Sequence, residues 1–105
     1  MSAFVLPENV VFLALSSAKI RTALIQSPVG STLSFQPRDL TDGDRALRID
    51  DADQDTEFIV QRISPEQIPR KFGLVPKSEI PLFMWRSSEP GNVQFALLGA
   101  KSGDV

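Results

Sequence analysis

The sequence predicts a small α+β domain that is mainly β, with five to seven strands in a sheet or partly open barrel and one or two short helices. Two apolar runs, residues 58–63 and 80–85, have the length and the β-branched and aromatic content of buried strands. Between them, residues 64–67 read serine, proline, glutamate, glutamine, which is typical of a helix N-terminus. We therefore expect the rest of the chain to be arranged around residues 57–86.

The length of 105 residues predicts a single domain, 1–105, and the 42% hydrophobic and 23% charged residues are typical of a soluble globular protein. We expect an extended N-terminal arm at residues 1–7, an acidic loop at 50–56 and a polar tail at 100–105. The longest apolar run, residues 10–15, is far shorter than the roughly 20 residues of a membrane-spanning helix.

The start of the chain carries no basic residue before its first apolar run, which argues against a secretory signal. We therefore expect a protein without a membrane partner, located in the cytoplasm or within a particle assembled there.

The absence of cysteine excludes a thiolate nucleophile, and the absence of histidine removes the commonest general base and metal ligand; tyrosine is missing too. Ser16 and Lys19 have the Ser-x-x-Lys spacing of serine acylating enzymes, but the Ser-Asp-Asn element of those enzymes is missing. We interpret Ser16 or Ser17 as a helix cap instead. The sequence thus predicts a protein that is not an enzyme and that carries no cofactor and no metal.

Residues 10–15 are predicted to form a buried strand, followed by a short helix at 18–26. The residues that this helix would bury are Ile20, Ala23 and Leu24. Periodicity leaves two alternatives open: one long helix over residues 8–26, or a hairpin whose second strand is 20–26.

Residues 32–36 alternate between apolar and polar side chains, which predicts a half-buried strand with Leu33 and Phe35 inward and Pro37 at its end. A turn at 41–44 and a weak strand at 46–49 follow.

In the second half, the helix that begins at Pro65 is expected to be short, because Pro69 and Gly73 interrupt and close it. Residues 81–86 and 93–98 predict a β-hairpin with Pro90 and Gly91 at the centre of a type II turn.

Residues 39–57 carry eight acids against two bases, a net charge of −6, so the remainder of a chain with a total of −2 carries +4. Alternating Asp51, Asp53 and Asp55 suggest calcium ligands, but a calcium loop starting at Asp51 would need glycine where Thr56 stands and glutamate where Arg62 stands. We therefore interpret this stretch as a recognition surface for a basic partner.

The strand at residues 80–85 is apolar on both faces, because Ile80, Leu82 and Met84 alternate with Pro81, Phe83 and Trp85. Each face needs a cover, and in a small protein the second cover is often another subunit. The predicted partner-binding residues are Leu82, Phe83, Trp85, Arg86, Asp51, Asp53 and Asp55.

Basic and aromatic side chains interleave in one part of the sequence. The residues concerned are Arg62, Arg70, Lys71, Phe72, Lys77, Phe83, Trp85 and Arg86. A small β-barrel with this mixture could bind single-stranded nucleic acid, although a pI near 5.0 disfavours that function.

We expect a non-enzymatic structural or protein-interaction subunit that binds other protein subunits, itself included. Its size and lack of catalytic residues suit a small component of a viral or phage particle. A nucleic-acid-binding module is the first alternative, and an acidic inhibitor of a basic partner is the second.

Overall fold

The computed structural model describes residues 11–40, 52–67 and 80–99. Within these ranges one sheet contains the strands β1 (Val11–Leu15), β2 (Thr32–Phe35), β3 (Phe58–Arg62), β4 (Ile80–Arg86) and β5 (Glu89–Leu98). The helix α1 (Ala18–Leu24) is accompanied by two 3₁₀ turns, Pro37–Asp39 and Pro65–Gln67. The prediction of a small, mainly β domain is confirmed, whereas the total strand count and the partly open barrel stay predictions.

The strands lie in the order β1-β5-β4-β3-β2. β1 is parallel to β5, and the other neighbouring pairs are antiparallel. Because β1 and β2 are consecutive in the chain but lie at opposite edges of the sheet, the connection that contains α1 must pass across the sheet. None of the helical segments in the described ranges is long and apolar enough to span a membrane.

The predicted strand followed by a helix is confirmed for residues 11–24, and both alternatives, the long helix and the hairpin, are wrong. Ser17 is the reason that the chain changes conformation: its buried Oγ accepts a hydrogen bond from the Ile20 backbone nitrogen at 3.1 Å and caps α1. Ile20 and Leu24, four residues apart, are the buried positions of the helix. The expectation that Ala23 is buried is wrong, because it lies on the exposed side.

Strand alternation gives the sheet two apolar faces. The face that packs against α1 forms the main core. Its buried residues are Leu13, Leu15, Ile20, Leu24, Phe35, Leu40, Phe58, Val60, Ile80, Leu82, Met84, Ala96 and Leu98. Leu33 is half-buried against this core, so the predicted inward direction of Leu33 and Phe35 is confirmed.

The opposite face is also apolar at its centre. Phe83 and Phe95 are paired across β4 and β5, with an edge-to-face contact of 5.5 Å between ring centroids. Leu97 and Val93 are buried beside them.

The predicted hairpin is confirmed, but the position predicted for its turn is wrong. Arg86 pairs with Glu89, so the reversal takes place at Ser87 and Ser88. Beyond this pair, regular pairing resumes at Met84 and Gln94. Four residues of β5, 90–93, therefore lie opposite a single residue of β4, Trp85. Pro90 and Gly91 therefore lie in a bulge, where a residue without an N–H is tolerated.

At the predicted helix start after β3, the described residues form the 3₁₀ turn Pro65–Gln67. The Gln67 side chain accepts a hydrogen bond from the Ser64 backbone nitrogen at 2.8 Å, as a capping box requires. The helix beyond residue 67, the arm at 1–7, the turn and weak strand at 41–49 and the tail at 100–105 lie outside the described residues.

Arg62, the last residue of β3, closes the C-terminal end of α1. Its Nη1 donates to the carbonyl oxygens of Leu24 at 2.9 Å and Ile25 at 3.1 Å, and also to that of Ser27. The last carbonyls of a helix have no hydrogen-bond partners within the helix. A cation at this end also interacts favourably with the negative end of the helix dipole. Arg21 makes a second hydrogen bond between α1 and the sheet: its Nη2 donates to the Leu98 carbonyl at 3.3 Å.

We predict that Arg62→Met lowers the free energy of unfolding by about 2 kcal/mol, because charge-assisted hydrogen bonds to the helix end are lost. Arg62→Lys should lose less, since it keeps a charge near the same carbonyls. Urea unfolding followed by circular dichroism measures both. Arg38→Met is the matched control: Arg38 is exposed and pairs with the exposed Asp55, so its loss should be below about 0.5 kcal/mol. Equal losses for Arg62→Met and Arg38→Met would contradict this role of Arg62.

Candidate functional site

The side chain of Trp85 lies on the sheet face opposite α1. It is half-buried, and strand pairing places it directly across from Ile59, which is half-buried too. Ile59 is in turn across from the exposed Ser34 of β2. We call Trp85, Ile59 and Ser34 the Trp85 row: it runs across three strands from the interior of the sheet to its edge.

The bulge in β5 borders the Trp85 row on its other side. Pro90, Gly91 and Asn92 are exposed, and the Asn92 side chain donates a hydrogen bond to the Glu89 carboxylate at 2.8 Å. Bulges redirect neighbouring side chains and are frequent beside functional sites. The row therefore ends at an irregular, exposed segment rather than at a regular strand.

The predicted partner-binding residues of β4 have very different exposures. Leu82 is 0% exposed and Phe83 is 3% exposed, whereas Trp85 and Arg86 are half-buried. A partner that docks on the chain in this conformation can contact Trp85 and Arg86 but not Leu82 or Phe83.

Arg86 and Trp85 point to opposite faces of the sheet. The Arg86 guanidinium lies 5.9 Å from the centroid of the Phe58 ring, on the α1 side. Phe58 stacks on Phe35 with ring centroids 5.5 Å apart. Arg86 thus belongs to an aromatic stack at the margin of the main core.

The basic and aromatic residues that interleave in the sequence are also divided between the two faces of the sheet. Arg62 and Arg86 lie on the α1 side, and Phe83 and Trp85 lie on the other side. Arg70, Lys71, Phe72 and Lys77 lie outside the described residues. Arg62 and Arg86 therefore do not share a surface with Phe83 and Trp85.

The outer edge of β2 has no strand partner among the described residues. Arg62 donates its backbone N–H to the Ser31 carbonyl at 2.9 Å, which makes Thr32–Gln61 and Ser34–Ile59 the non-hydrogen-bonded pairs of the ladder. The backbone N–H and C=O groups of Thr32 and Ser34 consequently point away from β3, toward the outside of the sheet.

An open acidic depression of about 520 Å³ lies at the C-terminal end of β2. It is lined by Ser34, Phe35, Gln36, Asp39, Asp55 and Glu57. Asp39 accepts the Gln36 backbone N–H at 3.0 Å, and Asp55 pairs with Arg38.

Of the three predicted aspartates, Asp53 and Asp55 are exposed, and Asp51 lies outside the described residues. The described part of the chain has no group of three or more acidic side chains arranged to hold a metal ion.

Sequence reasoning missed Ile59 and the outward backbone groups of Thr32 and Ser34. The alternation of residues 32–36 and 58–63 indicates which side chains share a face within each strand. It gives no register between strands, and the register is what places Ser34, Ile59 and Trp85 in one row.

Comparison of this chain with protein-family models, with curated proteins and with solved structures gave no match. The functional proposals below therefore depend on the geometry of the Trp85 row, the β2 edge and the acidic depression.

We predict that replacing Asp51, Asp53 and Asp55 together with asparagine leaves the free energy of unfolding within about 0.5 kcal/mol, because exposed ion pairs contribute little. Added millimolar calcium should not raise the melting temperature of either protein. Asp39→Ala is the comparison variant and should cost about 1 kcal/mol, since Asp39 accepts the Gln36 N–H at the start of its 3₁₀ turn. A calcium-dependent gain in melting temperature, abolished by the triple change, would restore the metal site.

Proposed function

We propose that this chain is a non-enzymatic interaction subunit that associates with copies of itself through the Trp85 row. The observation that carries the proposal is the half-buried Trp85 side chain beside the half-buried Ile59, on the sheet face away from α1. Tryptophan is enriched among the residues that dominate binding energy at protein interfaces. A component of a larger assembly, such as a viral or phage particle, is one form that this function takes.

Three features of the row suit protein association. Trp85 supplies a large apolar surface, and Ile59 extends that surface to the next strand. The exposed Ser34 on one side and the exposed Asn92 of the bulge on the other then provide a polar rim. An apolar centre with a polar rim is the usual anatomy of an interface.

Nucleic-acid binding is the weaker alternative, because Arg62 and Arg86 make their contacts on the α1 side of the sheet. Arg62 directs its guanidinium at the end of α1, and Arg86 lies over Phe58, so neither cation stands beside Trp85. Single-strand binding needs cations along the backbone and rings beneath the bases on the same surface.

Truncation of the Trp85 side chain tests the proposed function. Trp85→Ala should weaken self-association by about 2 kcal/mol, roughly thirtyfold in the dissociation constant, because the central apolar contact is lost. Light scattering coupled to size exclusion, at several concentrations, measures the mass. Ile25→Ala is the matched control: Ile25 is 49% exposed but lies at the end of α1, away from the row, so its removal should leave the mass unchanged.

Two results would oppose the proposed function. One is a wild-type protein that remains a monomer up to millimolar concentration. The other is a Trp85→Ala variant whose main effect is a loss of about 3 to 5 kcal/mol of folding stability, as expected of a large core residue. Urea unfolding of the variant separates this second case from a loss of association.

We also predict that labelled single-stranded DNA and RNA bind no tighter than the weak, salt-sensitive level of non-specific contact. Fluorescence anisotropy at low and physiological salt measures this binding. Micromolar binding that weakens steeply with salt and disappears when Arg62, Lys71 and Arg86 are replaced by glutamine would favour the nucleic-acid alternative.

A further inference from the structure

Among the described residues, no strand pairs with the outer edge of β2, and the strand itself carries no charge, proline or bulge. Proteins keep sheet edges from pairing with other chains by placing lysine, proline or a bulge in the edge strand. β2 reads Thr-Leu-Ser-Phe, with neither a charge nor a proline, and its four residues pair with β3 in regular register. Its outward groups at Thr32 and Ser34 are therefore suited to pair with an added strand.

The acidic depression lies beside the last residues of this edge. Asp39, Asp55 and Glu57 line it, and Arg38 offsets one of their three charges. Ser34 belongs both to the depression and to the edge, so a side chain that projects next to Ser34 on the same face is within reach of the carboxylates.

We propose that β2 binds an extended segment of a partner protein, paired antiparallel to β2, with a lysine or arginine near the amino end of the segment seated in the acidic depression. The antiparallel direction places the amino end of the segment at the C-terminal end of β2, where the depression lies. This inference rests on the proposed role as an interaction subunit, and it adds a second surface with a partner of defined chemistry.

A second copy of β2 does not fit this surface. Two β2 strands paired antiparallel would set the depression of each copy against residues 25–30 of the other, and those residues contain no base. Charge complementarity therefore points to a different segment, one that carries a positive charge ahead of an extended run.

A synthetic peptide tests the proposal. The probe is a fluorescein-labelled ten-residue peptide of alternating valine and threonine, with a lysine near its amino end. Control peptides carry glutamate at that position or carry the lysine near the carboxyl end. Fluorescence anisotropy at low salt should give binding at least tenfold tighter for the first peptide than for either control, because rim charges act mainly through electrostatic attraction.

Variants of the protein separate two contributions to peptide binding: the backbone hydrogen bonds of β2 and the charges of the acidic depression. Ser34→Pro removes an N–H that points away from β3, so it should reduce binding of the lysine peptide at least tenfold, whereas Ser34→Ala, which keeps the N–H, should reduce it clearly less. Asp55→Asn combined with Glu57→Gln should abolish the preference for lysine over glutamate. This double variant keeps the proposal testable even if Ser34→Pro fails to fold.

Equal binding of all three peptides, or no binding of the lysine peptide up to millimolar concentration, would overturn this inference. The mass of the peptide-free protein, measured in the same samples by light scattering, reports on self-association through the Trp85 row separately. A monomer that binds the lysine peptide contradicts self-association alone, and an oligomer that binds no peptide contradicts the β2 site alone.

Discussion

The contact between Arg62 and the end of α1 is the constraint on which the arrangement of this domain depends. The chain leaves the sheet at β1, crosses one face as α1 and re-enters at the far edge as β2. Such a crossing leaves helix carbonyls over a largely apolar face, where unpaired polar groups cost free energy. Arg62, from the strand beside β2, donates to the carbonyl of Leu24, the last residue of α1, and to those of Ile25 and Ser27 just beyond it. The end of the helix and the start of β2 are thereby fixed relative to the sheet.

The consequences of this arrangement differ between the two sheet faces. The α1 face closes into a continuous core, and its two described arginines, Arg62 and Arg86, satisfy helix carbonyls and cover an aromatic ring. On the other face, Phe83, Phe95 and Leu97 are buried, whereas Trp85 and Ile59 are half-buried. Surface suited to recognition is therefore concentrated where burial decreases, at Trp85 and Ile59 and then at the β2 edge.

The two proposed binding surfaces meet at Ser34. Its side chain completes the Trp85 row and lines the acidic depression, and its backbone groups point outward from the edge. An added strand at β2 would lengthen the row by one more side chain, because paired residues of neighbouring strands project from the same face. Occupation of the edge could thus enlarge the surface available for association through Trp85.

The sequence by itself determined the local elements. Ser17, the alternation of residues 32–36 and the apolar runs at 58–63 and 80–85 predicted the cap, the strands and the mainly β class, since each signal depends on near neighbours in the chain. Only the tertiary structure decided the register and the placement of Pro90 in a bulge. These features depend on pairing between distant strands, and side-chain alternation is the same for every register shifted by two residues.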